Sequence, residues 1–355
     1  MPRGDLLGSQ RHHDSFDLLR LFAAALVLWT HHFALTGSPV PFCEPLRVNY
    51  GIVGVYIFFA VSGYVNALSI DRRRSLSSFL VARAVRIYPA LVACVAFTIV
   101  VCAFLSRESW VAYFSNVETL KYAIYNSTLL RGFMVFHLPG VFEANPYPLI
   151  VNGSLWTLPI EATIYVIFAI LMSASMFRPE TSWWLFIMAA SALIIADEMR
   201  GPFRETNGAF LKFGVMFLAG SSIASLRLSR GRWSALAHML AIGCILLWFK
   251  QSVMVGWMVL LAVAVVGAGS LRPPDLLRPR FDISYGFYLY AFPCQQIAVL
   301  FFGSFLASIF AAAVGTIALA TLSCFLVEQP SRDLFRKSVA ARQSTVSGAV
   351  DVSPG

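Results

Sequence analysis

The chain has 355 residues, of which 58% are hydrophobic, 14% aromatic and only 13% charged, with a mean hydropathy of +0.71. That composition excludes a water-soluble globule with a polar skin and defines a membrane protein. The formal charge of +9, which in a soluble protein would point to nucleic acid, is here a matter of where Lys and Arg fall between spans, and no nucleic-acid partner is expected.

Runs long enough to cross about 30 Å of hydrocarbon fall near 16–37, 51–70, 85–105, 150–175, 182–198, 209–226, 234–250, 252–270, 283–303 and 305–327. The expected fold is therefore an all-α, polytopic membrane helix bundle of about ten transmembrane helices. Most of the 27 Lys and Arg fall in the segments on one side, including the cluster Arg72, Arg73, Arg74, Arg83 and Arg86 and the trio Arg272, Arg278 and Arg280. By the positive-inside rule this side is cytoplasmic, and so are both termini. The first span has no small-residue cleavage site behind it and reads as a retained anchor.

The first span contains RLFAAALVLWTHH, from Arg20 to His32. At about 1.5 Å per residue, the eleven steps from Arg20 to His31 carry a helix roughly 16 Å, half a bilayer, and close three turns plus roughly 20°. Arg20 and His31 thus share one stripe, while His32 points about a quarter turn away. Further along lie Ser62 and Asn66 in the second span, Glu161 in the fourth, and Gln295 with Gln296 in the ninth. An ionisable group inside a span is a functional candidate by default, because unpaired in hydrocarbon it costs several kcal/mol. Taken singly, Arg20 reads as a snorkelling anchor, His31 as a hydrogen-bonded core histidine and Glu161 as the partner of a structural arginine.

One long connection, from about Ser106 to Tyr147, carries Trp110, Tyr113, Tyr122, Tyr125, Asn126, Asn145 and Tyr147. It reads either as an interfacial aromatic belt or as a stacking surface for a sugar-like acceptor. The six cysteines form no C-x-x-C pair, so neither a disulfide framework nor a metal site is expected. One membrane domain over 1–330 and a short, basic, disordered cytoplasmic tail over 331–355 complete the organisation.

The motifs then carry a resemblance. DLLRLFAAALVLWTHH resembles the R-x10-H signature of the integral-membrane acyltransferase 3 family, whose members O-acylate polysaccharides, lipopolysaccharide, Nod factors and macrolides. GVYIFFAVSGYV, FLVARAVRIYPAL, SLWTLPIEATIY, ISYGFYLYAFP and FLVEQPSR resemble its later motifs in order along nearly the whole chain. Two positions depart from the pattern: Ala291 stands where many relatives have a histidine, and Thr157 replaces the usual serine.

The resemblance implies an O-acyltransferase of the bacterial cytoplasmic membrane. Its donor substrate would be acyl-CoA, most often acetyl-CoA, with no permanently bound cofactor. The acceptor would be a hydroxyl of a glycan or lipid-linked saccharide. Arg20, with Arg83 and Arg86, would hold the donor's phosphates, for which the guanidinium fork is suited. His31 would act as general base and Glu161 would orient it and stabilise its charged form. Ser62, Trp156 and Tyr288, in the matching motifs, would contact substrate. Direct transfer and a transient acyl-histidine both stay open. A transporter or flippase would also suit ten spans with intramembrane polar residues, although no pair of Gly- or Pro-broken spans recurs in matching halves.

Overall fold

The computed structural model describes residues 15–73, 75–129, 134–176, 178, 180–198, 202–274 and 281–337. Arg74, Arg278 and Arg280 of the basic clusters lie outside the described residues. The helices are α1 (Phe16–Leu35), α2 (Tyr50–Arg73), α3 (Leu76–Leu105), α4 (Trp110–Ser115), α5 (Val117–Thr128), α6 (Leu158–Ala174), α7 (Glu180–Glu198), α8 (Pro202–Arg230), α9 (Arg232–Leu246), α10 (Val253–Gly269), α11 (Ser284–Phe301) and α12 (Phe305–Ser323). Two-residue strands, β1 (Phe42–Cys43) and β2 (Val48–Asn49), close a small antiparallel hairpin between α1 and α2. The chain is an all-α polytopic bundle, and among the described residues eight helical segments are long and apolar enough to cross a membrane.

The other two expected spans depart from that standard for different reasons. The helix α9 has only 15 residues. The helix α11 is less apolar because its neighbours are protein and not lipid: from Ser284 to Gln296 every residue but Tyr285 is buried. Polar groups are tolerated there because they find partners. Gln295 Nε2 donates to Leu28 O at 2.8 Å, and Gln296 Nε2 donates to Tyr147 O at 2.9 Å and Ile150 O at 2.6 Å. Asn145 Nδ2 donates to Gln296 Oε1 at 2.7 Å, and Asn152 Nδ2 to Leu289 O at 2.9 Å. The end of the long connection is thereby drawn into the bundle beside α11.

That connection is mostly scaffold. Tyr113 and Tyr122 are fully buried, Tyr113 Oη donates to Ile99 O at 3.0 Å, and Asn126 makes two hydrogen bonds to the backbone of Val135. Of the candidate stacking residues, only Trp110 and Tyr147 are exposed. The helix α3 begins nine residues before the expected 85, capped by Ser75, so Arg83 and Arg86 lie within its first turns. The last helix also overruns expectation: past Ser323 a π-turn over Cys324–Glu328 leads into helix that reaches Lys337, so residues 331–337 are ordered helix and not the start of a loose tail. Residues 338–355 lie outside the described part.

The helix α2 sets the floor of the site. Gly51 faces Thr30, Gly54 faces the carbonyl of Ala23, and Tyr64 packs on Phe16 with ring centroids 5.3 Å apart, so α2 runs antiparallel to α1. On its other side Gly63 meets the carbonyl of Phe217 and Gly220 of α8 meets that of Ala60. Small residues at facing positions let membrane helices approach closely, and here they bring the two backbones into contact.

Candidate active site

α1 is continuous, so Arg20 and His31 occupy one helix with the roughly 16 Å separation that its rise dictates. Arg20, Arg83 and Arg86 gather at one end of a chamber inside the bundle. Ser62, Asn66, Thr157, Glu161, Tyr165 and Tyr288 also line it. Among the sequence-derived candidates, the structure brings together Arg20, Arg83, Arg86, Ser62, Glu161 and Tyr288.

The arginine end carries its own counter-charges. Arg20 Nη1 donates to Asp17 Oδ1 at 2.9 Å, and Arg86 Nη2 donates to Asp282 Oδ2 at 2.8 Å. The guanidinium of Arg83 lies 5.6 Å from the centre of the Phe79 ring. Asp282, immediately ahead of α11, also accepts from Ser284 Oγ at 2.5 Å and from the Ser284 N–H at 3.1 Å. Burial works against its ionisation, but Arg86 and then Arg20 outweigh it and hold the carboxyl well below the usual carboxylate range. Tyr285 Oη donates to Ile87 O at 3.0 Å and ties α11 to α3 beside this cluster.

Deeper in the chamber, Glu161 Oε1 accepts from the Tyr165 hydroxyl, which lies 3.1 Å from Ser62 Oγ. The Tyr288 hydroxyl is already engaged: it donates to Ser154 O at 2.8 Å and stands 2.7 Å from Thr157 Oγ1. Tyr288 thereby pins the 3₁₀ segment Gly153–Thr157, and Thr157 retains the hydroxyl function of the serine it replaces.

His31 does not line the chamber. Its ring packs edge-on against Phe292, 5.3 Å between centroids, one turn of α11 beyond Tyr288. Its Nδ1 is buried, and among the described residues it has no hydrogen-bond partner. No hydrogen bond joins His31 to Glu161; the carboxylate's hydrogen bond goes to Tyr165. His32 also packs its ring edge-on against a phenylalanine, Phe305, but differs in its bonding. It is fully buried, with Nε2 3.0 Å from Ser308 Oγ and 3.2 Å from Phe305 O, and Nδ1 3.3 Å from Gln295 Nε2.

Trp156 falls in a second cavity at the opposite end, with Tyr56, Phe213, Asp197 and Lys212. Phe59, which lines the first chamber, stacks on Phe213 of the second at 4.7 Å, so one layer of rings divides the two. Sequence reasoning missed Asp17, Asp282 and Tyr165 as members of the site. Tyr165 was within reach of it, four residues after Glu161 on one helix face. Asp282 carried no such signal, since its partner is 196 residues away.

A polytopic helix bundle with a cation-lined chamber inside its membrane-spanning part is the class that fold and site define. The chain belongs to the acyltransferase 3 family, whose model, described as an acyltransferase domain, matches residues 13–330. It is similar to the O-acetyl transferase of Shigella phage Sf6, with 29% identity over 88% of this chain and 94% of that protein. It is similar also to Nodulation protein 10 of Rhizobium leguminosarum bv. viciae, with 29% identity over 96% and 98% of the two chains. No solved structure matches it. The chain is an acyltransferase and a multi-pass membrane protein.

Proposed function

We propose that this acyltransferase moves an acyl group, most often acetyl, from cytoplasmic acyl-CoA to a hydroxyl of a cell-surface or exported glycan at the bacterial inner membrane. The observation that carries the reading is the chamber with Arg20, Arg83 and Arg86 at one end. Three guanidinium groups inside an apolar bundle suit a ligand with several phosphates, and their planar forks match phosphate oxygens. The similar phage protein bears the name O-acetyl transferase, which favours acetyl and an oxygen acceptor.

In this reading the phosphates of the donor sit at the arginines on the cytoplasmic side, with both chain termini on that side, and the acyl end points toward His31. His31 takes the proton from the acceptor hydroxyl as its oxygen attacks the thioester carbonyl. The carbon–sulfur bond then breaks and the departing thiolate recovers the proton. An Nδ1 free of protein partners leaves the imidazole both tautomers. Glu161 acts within the chamber through Tyr165 and Ser62, and Trp156 serves the acceptor from the second cavity. One membrane domain extends through residue 330.

Mass spectrometry of cell-surface glycans from a deletion strain and its parent tests the reading. The expected result is loss of acyl esters in the deletion strain, restored by the wild-type chain. Identical acylation in both strains would exclude a glycan acceptor.

A further inference from the structure

Six carboxamide side chains are buried in the described bundle: Asn66, Asn126, Asn145, Asn152, Gln295 and Gln296. Five of them donate a hydrogen bond at 2.6 to 2.9 Å to a carbonyl oxygen of backbone or side chain. Asn66 alone makes none: neither Nδ2 nor Oδ1 has a partner, although the residue is 0% exposed. A buried polar group left unmet is costly, so an amide with both atoms unmet calls for a ligand that meets them. Asn66 lines the chamber that holds the three arginines.

We infer that Asn66 recognises a secondary amide in the arm of the donor, an inference that rests on acyl-CoA being that donor. A carboxamide offers one acceptor and two donor hydrogens. A secondary amide presents the reverse pair, so its N–H donates to Oδ1 while its C=O accepts from Nδ2. A phosphate would engage Nδ2 alone, and an acyl chain neither atom. Position agrees with the chemistry. Because α2 runs antiparallel to α1, with Tyr64 against Phe16, Asn66 lies toward the arginine end of the chamber. In acyl-CoA the pantetheine arm begins at the pyrophosphate and carries two secondary amides before the sulfur. Asn66 thus stands level with the arginines and not between them and His31, so with phosphates there the amide it meets is the one nearer the pyrophosphate. Asn66 follows Ser62 by one helical turn on the same face, which gives α2 a short polar track beneath the arm.

The test uses the full chain in detergent and two probes, acetyl-CoA and adenosine 3′,5′-bisphosphate, which has phosphates but no amide arm. Asn66→Leu keeps the branching and the number of heavy atoms while removing the carboxamide, and Asn66→Ala removes it without adding a bulkier side chain. Both variants are expected to bind acetyl-CoA about ten-fold more weakly and adenosine 3′,5′-bisphosphate as the wild type does. Ligand-free Asn66→Leu is expected to melt at the wild-type temperature or above, since an unmet amide is replaced by an apolar group. Unchanged acetyl-CoA affinity, equal loss of both probes, or a lower ligand-free melting temperature in both variants would overturn the inference. If the wild type binds neither probe, or binds them no better than Arg20→Ala does, the donor reading itself falls and takes this inference with it.

Discussion

Two adjacent histidines on α1 have opposite surroundings, and the difference separates chemistry from scaffolding. His32 joins α1 to α11 and α12 through Gln295, Ser308 and the carbonyl of Phe305, whereas His31, among the described residues, has its Nδ1 unbonded and packs its ring on Phe292. His31→Ala is therefore expected to lower acyl transfer by about 10² to 10⁴, the usual loss for a general base, with little change in melting temperature. His32→Ala leaves Ser308 and Gln295 without that partner in a buried place and is expected to cost about 1–3 kcal/mol of stability. Its folded fraction should keep substantial activity. Rate per folded molecule and thermal melts of the two variants check both statements. A fully active His31→Ala enzyme would remove the base from His31.

Pairs of helices are held by what glycine leaves out. A Cβ on Gly63 would lie 1.8 Å from the carbonyl oxygen of Phe217, and one on Gly220 would lie 2.1 Å from that of Ala60. Neither neighbour is a side chain that can swing aside, so Gly63→Ala must push α2 and α8 apart and disturb the face that carries Ser62 and Asn66. Gly214, also on α8, is different: a Cβ there would have no atom within 4 Å. At that position the same change removes backbone freedom from the unfolded chain and is expected to be neutral or stabilising by about 0.5–1 kcal/mol. Yield of folded protein and detergent melting curves should therefore rank Gly214→Ala at or above wild type and Gly63→Ala well below it. Equal behaviour of the two would show that the α2 and α8 backbones are not in contact.

Across the whole molecule, the arginine chamber and the second cavity lie toward opposite ends of α2, which ties the mechanism to sidedness. Ser77 stands exposed in the first turn of α3 near Arg83, and Ser115 is exposed at the end of α4. With the basic end facing the cytoplasm, a cysteine at Ser115 should react with an impermeant thiol reagent in intact cells, and one at Ser77 only after lysis. The background should lack Cys43 and Cys244, the cysteines that are not buried. Reversed labelling would invert the bundle and put the donor's entrance on the wrong face. Labelling of both in intact cells would break the expected parity of spans between them.

The sequence alone settled the membrane class, the approximate places of the spans and the stripe shared by Arg20 and His31, because each depends on composition or on the fixed rise and turn of one helix. The order of its motifs also pointed to the family. Partnerships between distant elements were another matter. Arg86 with Asp282, Glu161 with Tyr165 and not His31, Trp156 in a cavity apart from Ser62, and Tyr113 and Tyr122 inside the scaffold all depend on how helices pack. Periodicity fixes the face on which a side chain stands, but only the neighbour across that face decides whether it is bonded. That is why His31 and His32 were separable by angle in the sequence, while the unmet amide of Asn66 became visible only when the chamber closed around it.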